Sequence, residues 1–79
     1  MVTLYSTPTC ARCRVAEDRL DAAGLLAAKV DLTQDPDKLD ELKERLDVPM
    51  LDLPVLEYRG ELFGMGDLYD LIRTAEADG

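Results

Sequence analysis

Two β-forming runs separated by a single helical segment leave this chain few folds to adopt. Val2-Thr-Leu-Tyr-Ser6 alternates and is rich in β-formers, and Ala28-Lys-Val-Asp-Leu32 is a second such run. Between them, Cys10 to Ala23 reads as a helix with Ala16, Leu20 and Ala23 on one face and Gly24 as its stop. A helix linking two strands of one sheet makes those strands parallel, with a right-handed crossover. The chain has 79 residues, enough for one domain (1–79) whose apolar residues must be placed efficiently.

The rest of the chain adds one helix, a hairpin and a last helix. Asp35-Pro36 is a helix start, with Asp35 as N-cap and Pro36 at the first helical position. Leu39, Leu42 and Leu46 then recur at helical spacing and predict an inward stripe; the charged remainder predicts a solvated face. A loop from Asp47 to Leu53 contains Pro49. Pro54 to Tyr58 and Glu61 to Phe63 predict two strands around a turn at Arg59-Gly60. Gly64-Met-Gly66 predicts a flexible turn. Asp67 is expected to cap a last helix with Leu68, Leu71, Ile72 and Ala75 inward, and Glu76 to Gly79 to fray. The order is βαβαββα: an α/β domain with a four-stranded mixed sheet and three helices covering both faces. Tyr5 and Tyr58 are expected to pack on the sheet and Phe63 in the core; among the apolar residues Met65 has the best claim to an exposed partner contact.

Composition excludes several function classes. The formal net charge is −8, which opposes phosphate backbones and argues against nucleic-acid binding. Histidine is absent, which removes the commonest general base and any Cys/His zinc finger. No apolar run approaches the roughly 18 residues of a membrane span. The N-terminus has neither the basic flank nor the cleavage site of a signal peptide, so the expected location is cytoplasmic.

The chemical signal is Cys10-Ala-Arg-Cys13, set where the first strand gives way to the first helix. A helix start presents unpaired backbone N–H groups and the positive end of the macrodipole. A thiolate at Cys10 accepts those groups, so its pKa is expected to fall from the free value of about 8.5. Arg12 and Arg14 add positive charge. Cys13 lies one turn further on, more buried, with its sulfur in reach of Cys10. Cys10 then attacks an external disulfide, and Cys13 attacks the mixed disulfide and releases the reduced substrate. Half a zinc site would need further Cys or His ligands, and the chain has none, so no metal and no bound cofactor are expected. In a βαβ setting the spacing points to a thioredoxin-like redox motif.

These residues resemble a known family over nearly the whole chain. Leu4-Tyr-Ser-Thr-Pro-Thr-Cys10-Ala-Arg-Cys13 is similar to the strand and Cys-x-x-Cys entry of glutaredoxins and NrdH-type redoxins of the thioredoxin superfamily. Leu53-Pro54 stands where the family has Val-Pro with a cis proline; Pro49 is the rival for that place. Gly60-Glu-Leu-Phe-Gly64-Met-Gly66-Asp67-Leu68 resembles the turn and acidic helix start that follow. The resemblance implies a thioredoxin-like fold and dithiol–disulfide exchange by Cys10 and Cys13. It implies substrate contacts by Arg12, by the backbone of Leu53 at Pro54, and by Gly66 and Asp67.

Several residues depart from the family pattern. Ala11-Arg12 replaces Pro-Tyr, Thr7 replaces a lysine that holds a glutathione carboxylate, Asp52 replaces a threonine, and Met65 replaces a glycine. Glutathione as co-substrate, and glutathione or thioredoxin reductase as reductant, both stay open. The leading expectation is a glutaredoxin-like monomer acting on disulfide-containing proteins or glutathione mixed disulfides. The alternatives are an NrdH-type redoxin donating electrons to ribonucleotide reductase, a binding module that kept the fold, and an iron–sulfur carrier.

Overall fold

The computed structural model describes residues 1–78. Its elements are β1 (Val2–Ser6), α1 (Ala11–Ala22), β2 (Leu26–Asp31), α2 (Pro36–Leu46), β3 (Val55–Tyr58), β4 (Glu61–Phe63), a 3-10 turn (Met65–Asp67) and α3 (Leu68–Asp78). The four strands form one sheet in the order β2-β1-β3-β4. β1 runs parallel to β2, β3 antiparallel to β1, and β4 antiparallel to β3. The βαβαββα order and the mixed sheet are those read from the sequence.

Alternation along the strands builds a core on each face. Val2, Leu4, Leu56 and Tyr58 face one cluster with Ala16 and Leu20 of α1 and Leu68, Leu71 and Ala75 of α3. Tyr5 and Val55 face the other, with Leu32 and with Leu42 of α2. Leu4, Leu20, Leu42, Leu56 and Leu68 are fully buried, each contributing about 1.5–3 kcal/mol. On the α2 face, the Tyr5 hydroxyl donates to Glu57 Oε1 at 2.6 Å, and Arg45 pairs with Glu57 Oε2 at 3.3 Å. Burial and this bond raise the Tyr5 pKa, and the same bond, followed by Arg45, lowers that of Glu57.

The structure corrects the reading of the sequence at several places. β2 begins at Leu26 rather than Ala28, because Gly24 adopts a positive φ of 71° and the Leu25 N–H returns to the Leu20 carbonyl at 2.9 Å. As an edge strand it leaves Ala27, Ala28 and Lys29 exposed, so its sequence alternation is weak. Leu46 is 39% exposed: it borders an open cleft with Val48, Met50, Leu62 and Phe63 instead of joining the core. Asp67 is not a cap: it lies within the 3-10 turn, whose N-cap is Gly64 with no side-chain bond. Gly64-Met-Gly66 is thus largely regular turn, and Met65 packs against the first core cluster instead of standing free. Glu76 to Asp78 continue α3, where Asp78 accepts from the Tyr58 hydroxyl at 2.8 Å; Gly79 lies outside the described residues. No helix among the described residues is long and apolar enough to cross a membrane.

Candidate dithiol site at the start of the first helix

Strand register brings the site together. Ser6 pairs with Asp31, so β1 and β2 finish at the same end of the sheet. Tyr5 pairs with Val55, which sets Pro54 at that end, next in line to Ser6. β4 runs toward it as well, so the turn at Met65–Asp67 follows there. Crevices beyond the carboxyl ends of strands are the usual ligand sites of open α/β sheets.

The chain leaves β1 through a tight turn in which the Cys10 N–H donates to the Thr7 carbonyl at 3.3 Å. Cys10 then caps α1 with extended backbone (φ −90°, ψ 109°), and its sulfur accepts the Cys13 N–H at 3.1 Å. Serine, threonine, aspartate or asparagine normally fills this position; here the capping atom is a sulfur that can react. Cys10 and Cys13 are joined as a disulfide, with Cα atoms 5.2 Å apart. Cys13 is 3% exposed, whereas Cys10 is half-buried and reachable. The first turn of α1 has no acidic residue. Arg12 and Arg14 are exposed and form no salt bridge among the described residues, while Lys29, Lys38, Arg45, Arg59 and Arg73 all do. Unneutralised positive charge therefore sits at the Cys pair of an acidic protein.

The other predicted residues divide. Pro54 is buried and the Leu53–Pro54 bond is cis, while Pro49 is not in a cis bond. Leu53 packs its side chain against the second core cluster. Gly66 and Asp67 are exposed. A Cβ at Gly66 would meet nothing within 4 Å, so close approach does not require glycine there. Asp67 lines a separate cleft of about 440 Å³ with Tyr58, Phe63, Asp70 and Leu71, and neither cysteine lines it. The sequence reading missed the polar group beside Cys13, formed by Ser6, Glu17, Lys29 and Asp31. Glu17 was findable as one helical turn beyond Cys13; Lys29 needed the β1–β2 register.

Comparisons with known proteins agree with this geometry. No curated protein sequence matches the chain. In fold it is similar to the glutaredoxin-like protein NrdH-redoxin from Escherichia coli, described as having a thioredoxin-like activity profile. The TM-score is 0.75 at 16% identity, over 92% of this chain and 91% of that one. It is also similar to a mutant of the thioredoxin-like protein BC3987, with TM-score 0.78 at 18% identity, over 95% and 94% of the two chains. The fold is therefore thioredoxin-like. The glutaredoxin family model matches residues 2–63, which span β1 to β4 and both cysteines. The chain belongs to the glutaredoxin family and carries its redox-active Cys-x-x-Cys as Cys10 and Cys13.

Proposed function

We propose that this protein is a dithiol–disulfide oxidoreductase that reduces disulfide-containing proteins, working as a monomeric electron carrier in the cytoplasm. The observation that carries the reading is the half-buried Cys10 sulfur, which caps α1 and bonds to the buried Cys13. Reduced Cys10 attacks one sulfur of the substrate disulfide, and the other leaves as a thiol. Cys13 then attacks Cys10, the substrate's second sulfur leaves, and the intramolecular disulfide returns. Two electrons pass from the pair to the substrate. In this reading the backbone of Leu53 beside Pro54 and the turn at Gly66 and Asp67 border the docked substrate, and Arg12 attracts acidic groups on it.

A second reading, reduction by thioredoxin reductase in the manner of NrdH-type redoxins, is favoured by Thr7 and Asp52. Neither supplies a cation for a glutathione carboxylate, and Asp52 opposes one. The test offers the oxidised protein glutathione with glutathione reductase, and in parallel thioredoxin reductase with NADPH, and follows NADPH consumption. Fast turnover in the first assigns glutathione as reductant; fast turnover in the second assigns the NrdH-type route. Turnover in neither, together with no reduction of an insulin disulfide by the dithiol form, refutes the oxidoreductase reading.

A further inference from the structure

Cys13 is 3% exposed, yet it lines a cleft of about 360 Å³ on the β2 side of α1 with Ser6, Arg14, Glu17, Lys29 and Asp31. Under the dithiol reading, on which this inference rests, Cys13 must lose a proton before it attacks, because the thiolate is the nucleophile. Burial opposes that charge. The helix start helps Cys10 rather than Cys13, whose own N–H is given to the Cys10 sulfur. Cys13 therefore needs a proton acceptor.

Two carboxylates reach the cleft. Asp31 Oδ1 already accepts both the N–H and the hydroxyl of Thr33, at 2.9 and 2.6 Å, and so holds the turn after β2. Glu17 lies one turn beyond Cys13 on the same helix face, and helical side chains lean toward the N-terminus, over the preceding turn. Lys29 Nζ lies 3.1 and 3.0 Å from its two oxygens and fixes the carboxylate beside the cleft. The charged groups facing the cleft are Arg14 and Glu17 from α1 and Lys29 and Asp31 from β2; Ser6, Thr7 and Pro8 complete its wall without charge.

We propose that Glu17 accepts the Cys13 proton in the second half of the exchange. The Cys13 S–H proton passes to the Glu17 carboxylate across the cleft. The Cys13 sulfur attacks the Cys10 sulfur, the bond from Cys10 to the substrate breaks, and the substrate sulfur leaves with the electron pair. When a thiol reductant reopens the pair, the Glu17 carboxyl returns the proton to the departing Cys13 sulfur.

Dithionitrobenzoate separates the two halves in the full chain: Cys10 releases one thionitrobenzoate and Cys13 the second. Stopped-flow absorbance from pH 6 to pH 9.5 resolves both. Glu17→Gln is expected to leave the first release unchanged and to slow the second about tenfold or more near pH 7, with the gap narrowing as pH rises and hydroxide takes over as base. Lys29→Met keeps the carboxylate but frees it from its pair, and is expected to slow the second release less than Glu17→Gln does. The assignment is overturned by a second release that Glu17→Gln leaves untouched, slows equally at every pH, or slows no more than Lys29→Met does. It is also overturned if Asp31→Asn produces the pH-dependent loss instead. A native protein giving a first release and never a second would refute the dithiol reading itself.

Discussion

Cys10 has two tasks, capping α1 and presenting the reactive sulfur, and single substitutions separate them. Serine also caps well, so Cys10→Ser is expected to stay folded and lose all exchange, whereas Cys13→Ser traps mixed disulfides with substrate. In the reduced native protein, iodoacetamide is expected to modify Cys10 before Cys13, as peptide mass spectrometry resolves; faster modification of Cys13 would reverse the roles. Tyr5 and Glu57 contribute to the dependence of stability on pH. The pKa of Glu57 is lowered on folding, so its contribution is present above its unfolded value of about 4.3 and is lost as pH falls through the lower folded value. Tyr5 is raised, so its contribution is present below its unfolded value of about 10 and is lost as pH rises through the folded one. Tyr5→Phe removes the bond to Glu57, is expected to cost about 1.5–3 kcal/mol, and flattens the acid limb; urea unfolding between pH 3 and pH 8 measures both.

Among the elements, α2 and the β3–β4 hairpin depend most on local signals. The Asp35 carboxylate accepts the Lys38 N–H at 3.2 Å. Asp35→Ala is expected to lose about 1 kcal/mol, read as a lower urea midpoint at unchanged slope. At the hairpin, Arg59 and Gly60 have φ values of 52° and 80°, the two positive angles of a type I′ turn that favours Asn-Gly. The Arg59–Asp78 pair is 3.8 Å apart and exposed, so losing it costs little. Arg59→Asn is therefore expected to stabilise by about 0.5–1 kcal/mol. At about 4–8 °C per kcal/mol for a domain of this size, scanning calorimetry detects the change.

For the whole molecule, charge distribution bears on the choice of reductant. The chain is acidic overall, and Arg12 and Arg14, which form no salt bridge among the described residues, stand at the Cys pair. Thr7 lies in the loop ahead of Cys10 and lines the Cys13 cleft, while Asp52 is exposed on the loop before Pro54. Native protein is expected to reduce a glutathione mixed disulfide slowly. The double variant Thr7→Lys, Asp52→Thr is expected to gain about one to two decades in affinity, the worth of a charge-assisted hydrogen bond. Steady-state rates at several salt concentrations test this. Fast native reduction with no gain in the variant would assign tripeptide binding to other groups.

The sequence determined whatever depends on neighbours along the chain. Periodicity and turn signals placed the strands and helices of the βαβαββα order, with β2 starting two residues late and the 3-10 turn unread. Asp35-Pro36 and Gly24 marked two helix ends, and Cys10-Ala-Arg-Cys13 at a strand-to-helix junction identified the reactive pair. Those signals are local because helix caps, turns and i,i+4 spacing are local. The tertiary structure decided what depends on register and on sheet width. Leu46 was left on an open cleft beside β4, and the Gly64 turn displaced Asp67 from its cap. Pairing of β1 with β2 and β3 carried Asp31 and Pro54 to the end of β1, while Lys29 met Glu17 beside Cys13. Tyr5 and Glu57 lie 52 positions apart, and only antiparallel pairing of β1 with β3 brings that hydroxyl to its carboxylate. Such contacts arise from strands that meet after long loops close, and no window of sequence records them.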